Sequence, residues 1–245
     1  MFSKIIKVLL LLLGGVFIVF QGMAFQLEGA AVSAGILVLL TILYCGWTTN
    51  KSIYFFWFLV LYTIGHVLSY SAWYGPNLYE GDIDYIYYVA NMLFILSYIF
   101  LMLKILTQLN FKSVFSQLAI PIFILVVLDI FCVSLVTATT ENVLNTYEYS
   151  LEYTYNAVVM TLLSIALINY MYRNDTKSMM FLMGSICIVF SEIIQLAYFY
   201  VMEDKMLGFI YSFFLVVAFI FFYMQSQIEF TGPDEPFYSD EHAEA

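Results

Sequence analysis

Residues 84–141 read DYIYYVANMLFILSYIFLMLKILTQLNFKSVFSQLAIPIFILVVLDIFCVSLVTATTE. Two long apolar runs are joined by a short polar turn that carries Lys104 and Lys112. The far end of each run is acidic, Asp84 before the first and Glu141 after the second. Moving Lys and Arg across a bilayer is disfavoured, so short basic loops stay cytoplasmic. The stretch reads as a membrane hairpin with its turn inside and both ends outside.

The same alternation extends along the chain. Lys4 and Lys7 precede the first apolar stretch, Lys51 lies between the second and third, and Arg173 and Lys177 lie between the sixth and seventh. The other gaps are acidic: Glu28; then Glu80, Asp82 and Asp84; then Glu141, Glu148 and Glu152; then Glu203 and Asp204. Of the 8 Lys and Arg residues, only Lys205 breaks the order. Composition agrees: 63% of residues are hydrophobic, 11% are charged, and the mean hydropathy is +0.91. Too little polar surface remains to coat a soluble globule.

The predicted fold class is all-α: a polytopic bundle of eight transmembrane helices with N-terminus and C-terminus cytoplasmic, multi-pass in the cell inner (cytoplasmic) membrane. A bilayer core of about 30 Å takes about 20 helical residues to cross. The expected spans are Ile5–Gly22, Gly29–Trp47, Ser52–Tyr74, Ile83–Leu106, Val114–Thr137, Leu151–Tyr172, Ser178–Met202 and Leu207–Gln225. A closed barrel needs alternating strands of about ten residues, which continuous Leu, Ile, Phe and Val runs do not provide. Pro121 is expected to kink the fifth span. Residues 1–227 form the membrane domain, and 228–245, with Gly232, Pro233, Pro236 and several acids, read as a disordered acidic cytoplasmic tail. Lys4, Lys7, the apolar run and Gly22-Met23-Ala24 also fit a cleavable signal peptide, and both readings of the first span stay open.

Several function classes drop out. A net charge of −10 argues against nucleic acid as a partner. There is no Gly-x-Ser-x-Gly elbow and no phosphate-cradling glycine loop. With 2 histidines, one of them the tail residue His242, a multi-histidine zinc site is not available. Cys45, Cys132 and Cys187 lie within spans without paired spacing and suggest neither disulfide nor metal. No cofactor or metal is expected, and membrane lipids are the expected partners.

Ionisable side chains in hydrocarbon are costly unless they face protein or water, so each is a site hypothesis. Three lie deep: His66, Asp129 and Glu192 in the third, fifth and seventh spans. Counted from the cytoplasmic ends they stand about fourteen, sixteen and fifteen residues up, a shared depth at about 1.5 Å per residue. Helical spacing places Tyr62 and Tyr70 on the face of His66, and Gln195 near Glu192. Asn91, with Tyr88 beside it, and Asn156 lie in the outer halves of their spans. The expected site is an outward-leaning, Tyr-lined pocket: His66, Glu192 and Asp129 for proton chemistry; Tyr62, Tyr70, Asn91, Tyr88, Asn156 and Gln195 for substrate. The plain alternative is that these groups hydrogen-bond to one another and hold the helices together.

Tyrosines also crowd the outer edge, among them Tyr74, Tyr85, Tyr87, Tyr147, Tyr155 and Tyr200. They read either as an interfacial aromatic belt or as the lining of a lipid-headgroup cavity. In the second span Gly29, Ala30, Ala31, Ser33, Ala34 and Gly35 are small enough for close helix packing within the molecule.

Gly65-His66 in the third span, and Gly184-Ser185-Ile186-Cys187-Ile188-Val189-Phe190-Ser191-Glu192 in the seventh, resemble the lysoplasmalogenase (YhhN-like) family. That family carries a Gly-Asp pair in its third span and a run close to Gly-x-x-x-Phe-x-x-Ser-Asp in its seventh. It shares the eight spans with both ends inside. The resemblance implies an integral membrane hydrolase that cleaves the vinyl ether bond of lysoplasmalogens to an aldehyde and a glycerophospho-alcohol. Here both family acids differ, one being His66 and the other Glu192. A diverged lipid or lysophospholipid hydrolase with a His/Glu acid-base pair, and a lipid-binding member without turnover, are both compatible with that. A small proton-coupled transporter is the reading from another class, since buried His, Asp and Glu also build proton relays.

Overall fold

A computed structural model of the chain describes residues 2–48, 51–75, 83–202 and 204–228. It contains eight helices: α1 (Phe2–Gly22), α2 (Gln26–Trp47), α3 (Ile53–Ala72), α4 (Tyr85–Leu106), α5 (Phe111–Ala138), α6 (Thr146–Arg173), α7 (Thr176–Leu196) and α8 (Lys205–Gln227). A π-helical turn, Ala197–Val201, prolongs α7. All eight helices are long and apolar enough to cross a membrane, and the chain is a multi-pass membrane protein. The acidic-gap residues Glu80, Asp82 and Glu203, and the tail from residue 229, lie outside the described residues.

Seven helices close a ring. Each of α1, α2, α3 and α4 packs against the next, α4 packs against α6, and α6, α7 and α8 follow in order until α8 meets α1. The remaining helix, α5, packs on the outside against α6. Ile120 and Phe123 of α5 are 75% and 70% exposed, as expected of side chains facing lipid. The expected break near Pro121 is present: Leu118 leaves helical geometry at φ −117°, ψ 23°. Proline removes a backbone donor and crowds the preceding turn, which explains the position.

Tight turns keep sequential helices adjacent. Asn174 adopts a left-handed conformation (φ 49°) at the end of α6, and the Asp175 carboxylate caps α7 by accepting from the Ser178 amide at 2.8 Å. Asn145 caps α6 and forms a reciprocal pair with Glu148. This cap starts α6 at Thr146 rather than at Leu151.

Lipid is as apolar as leucine, so close packing rather than expulsion from water joins such helices. Gly65 and Gly184 show how close. A Cβ on Gly65 would lie 2.5 Å from the Phe94 ring, and one on Gly184 would lie 2.7 Å from the Phe222 ring. In the second span Gly29, Ser33 and Ala34 are buried within the molecule, whereas Gly35 is exposed. Where it borders the acidic half, the basic half of the ring interior is filled by aromatic side chains. Phe58 stacks on Phe219 (centroids 5.9 Å apart) and meets Phe222 edge-on at 5.8 Å. Tyr62 packs on Phe219 at 5.1 Å and on Tyr98 at 5.8 Å. The other half is open.

Candidate functional site

The open half is a cavity of about 290 Å³ to which all seven ring helices contribute and α5 does not. His66 (α3), Asn91 (α4), Asn156 (α6), Glu192 and Gln195 (α7) line it, together with Tyr62. Glu152 of α6 lines it too. It lies at the acidic ends of the helices, away from Lys51, Lys104 and Lys177.

Glu192 is held by phenols from three helices. The Tyr98 hydroxyl donates to its Oε1 at 2.5 Å, and the Tyr62 and Tyr155 hydroxyls also interact with the carboxyl group. Tyr98 and Tyr155 have their rings 6.0 Å apart, so the three rings form one cluster beneath the carboxyl. The neighbouring Ser191 donates to the Tyr211 carbonyl at 2.9 Å and fixes α7 against α8. Rotation of α7 that would move Glu192 out of the cavity would break this bond.

His66 is reached from the other side. Its Nδ1 lies 3.3 Å from the Ser33 hydroxyl of α2, and its ring packs between Tyr62 (4.8 Å) and Phe94 (5.2 Å). Because Gly65 admits Phe94 against the α3 backbone, that ring can sit beside the imidazole. Ser33 already donates to the Ala30 carbonyl, so it accepts when Nδ1 carries the proton and leaves Nε2 as the basic nitrogen.

Glu152 is a cavity residue that reading the sequence missed. Its charge groups it with the acidic outer gap although the expected sixth span begins at Leu151; in the structure α6 carries it into the ring, where it is 8% exposed. Asn156 donates to its side chain at 3.0 Å, and its carboxyl interacts electrostatically with that of Glu192. Glu148, Glu152 and Asn156 recur at four-residue spacing, a helical-face signal present in the sequence. Gln21 of α1 was also missed. It is 5% exposed, lines the cavity, and its buried Oε1 has no hydrogen-bond partner among the described residues.

Other expected site residues lie elsewhere. Asp129, expected at the depth of His66 and Glu192, sits on the outer helix α5. There its carboxylate accepts from Ser164 of α6 at 2.7 Å, which makes it an α5–α6 tie. Tyr70 pairs with Tyr74 (Oη to Oη 3.0 Å), and Tyr88 packs edge-on to Tyr87 at 5.6 Å; neither lines the cavity. The tyrosines at this level divide between both readings: Tyr87, Tyr155 and Tyr200 line the cavity, whereas Tyr74, Tyr85 and Tyr147 are exposed. Asp129→Asn is expected to change stability by about 0.6 kcal/mol, typical of a polar contact between membrane helices. It should leave ligand binding in the cavity unchanged; thermal unfolding and a binding titration check both.

An apolar groove of about 320 Å³ between α1, α2 and α8 adjoins the cavity. Phe17, Ser33 and Leu215 belong to the walls of both. The groove follows α1 down to Lys7, whose ammonium lies 5.3 Å from the Tyr223 ring centre. From Phe17 to Lys7 this is about 15 Å at about 1.5 Å per residue. Among the described residues no three His, Cys, Asp or Glu side chains gather closely enough to hold a metal ion. Compared with protein-family models, with curated proteins and with solved structures, the chain matches none.

Proposed function

We propose that the protein is a lysoplasmalogenase-like hydrolase of single-chain lipids, oriented in the inner membrane with its basic helix ends in the cytoplasm. The observation that carries this reading is the junction of a polar cavity bearing two carboxyl groups and an imidazole with an apolar groove. A single-chain amphiphile matches both parts at once: head and glycerol in the cavity, hydrocarbon along α1 towards the bilayer centre. The reacting bond then falls near Ser33, beside His66.

Vinyl ether hydrolysis needs a proton on the distal vinyl carbon and water on the resulting oxocarbenium carbon. Glu192 delivers the proton. His66, through its basic nitrogen, takes one from the attacking water. Glu152 supplies the second carboxyl that the family pattern leads one to expect and opposes the positive charge of the oxocarbenium. The hemiacetal then collapses: its hydroxyl proton passes to the glycerol oxygen as the C–O bond breaks, giving an aldehyde and a glycerophospho-alcohol. Gln21 offers an acceptor to a donor on the headgroup. A proton-coupled carrier fits less well, because Phe58, Tyr62, Tyr98, Phe219 and Phe222 fill the interior below Glu192.

The test is aldehyde release from a lysoplasmalogen by the purified full chain in phosphatidylcholine nanodiscs, with an ester lysophospholipid in parallel. Turnover of either substrate supports the proposal and identifies the bond attacked; turnover of neither by folded protein rejects it. A bulky residue in the groove should act on the tail alone. Ile220→Trp is expected to raise KM about tenfold for a long-chain substrate and far less for one shortened by several methylenes, each worth about 0.8 kcal/mol. An equal effect on both lengths would place the hydrocarbon elsewhere.

A further inference from the structure

The ends of the ring opposite the polar cavity enclose a second space, of about 600 Å³, whose lining includes Lys51, Lys104 and Lys177 with Ser52, Thr107 and Gln108. Among the described residues lining it there is no carboxylate. The three lysines come from the residue before the α3 cap, the last turn of α4 and the first turn of α7. Lys51 donates to the Cys45 carbonyl at its rim. Lys104 lies inside. It is 7% exposed, its Nζ has no hydrogen-bond partner among the described residues, and it stands 4.6 Å from the Phe55 ring centre and 5.8 Å from that of Phe181.

This placement is not what stability alone selects. A lysine in the last turn of a membrane helix has a stem long enough to carry its ammonium out to water. Here the side chain turns inward, where a buried ammonium without an acceptor is costly. Two aromatic faces offset part of that cost. They leave the ammonium's hydrogen-bonding capacity unused, and Lys177 is near enough to repel it. Side chains from α2, α3, α4, α7 and α8 or their flanks converge here; among the described residues of the lining the charged ones are all basic, beside several hydroxyl and amide groups. That is the composition of a site for a compact, multiply charged anion.

We propose that this cavity binds a phosphate monoester or inorganic phosphate at the cytoplasmic ends of the helices, with Lys104 as its innermost contact. The chemistry is shared by a lipid headgroup from the inner leaflet and by a soluble phosphate. The site shares no lining residue with the outer cavity, so it is independent of the hydrolase reading. The full chain in phosphatidylcholine nanodiscs is titrated with inorganic phosphate while thermal unfolding is followed. In parallel, nanodiscs containing phosphatidic acid are dissociated and the retained lipid is counted by native mass spectrometry.

The wild type is expected to be stabilised by phosphate or to retain phosphatidic acid over phosphatidylcholine by about tenfold or more. Lys104→Met should lose this preference, and Lys51→Met at the rim should weaken it without touching the buried position. Lys112→Met, a basic residue of the same face outside the cavity, should keep it. A response to phosphate alone identifies a soluble ligand; retention of phosphatidic acid alone identifies the lipid. No response to either probe overturns the proposal. So does an equal loss in Lys112→Met, or full binding by Lys104→Met.

Discussion

Replacing Glu192 with Gln is expected to lower lysoplasmalogen turnover by about 10²–10⁴-fold, the usual contribution of a positioned proton donor. Gln keeps the length of Glu and still offers an oxygen to the Tyr98 hydroxyl, so the phenol cluster and the fold should persist. What it loses is the exchangeable proton. Thermal unfolding should therefore change little while aldehyde release collapses. Glu192→Asp is a sharper companion, because it keeps the acid but withdraws it by one methylene from the Tyr98 contact at 2.5 Å. Undiminished turnover in Glu192→Gln would remove Glu192 as the donor. Glu152→Gln, tested beside it, distinguishes the second carboxyl as a participant from a bystander.

The second large effect concerns assembly. Gly184→Val is expected to destabilise the bundle by about 1–3 kcal/mol or more, the usual cost of forcing volume into a packed interior. Its Cβ would lie 2.7 Å from two carbons of the Phe222 ring, and Phe222 is fully buried. The ring has little room to retreat, since Phe58, Phe181 and Phe219 pack around it. Gly35→Val is the control: its Cβ would meet nothing within 4 Å. A lowered midpoint for the first variant and an unchanged one for the second would confirm α7–α8 packing; equal midpoints would refute it. Of the glycines that carry the family resemblance, then, Gly184 has a packing role that any bundle of this shape would require.

Helix number and extent were legible because apolar runs near bilayer length are an unambiguous signal, and charge alternation orders them. The reading that mattered failed at the start of the sixth span. The first turns of α6 read Thr-Tyr-Glu-Tyr-Ser-Leu-Glu, and Glu152, just inside the expected span, is grouped by charge with the acids of the gap rather than with the buried ionisable residues. Neighbour relations were not legible, because depth along a span says nothing about its azimuth. Asp129 matched His66 and Glu192 in depth yet belongs to the helix left outside the ring. A hint was present: the fifth span is the most apolar of the eight, as suits a helix largely surrounded by lipid. The Tyr98–Glu192 bond joins residues 94 positions apart and follows only from the three-dimensional arrangement.

Because the circle of staves is shut where α1 meets α8, its last joint links the first and the eighth of the described helices. A nascent chain emerging in order has to hold His66, Glu152 and Glu192 in an unsealed trough until α8 is inserted. Truncation before Lys205 should therefore yield a species that exposes acidic side chains to acyl chains and falls to quality-control proteolysis. An intact eighth segment supplied as a separate polypeptide should rescue it by mending the seam.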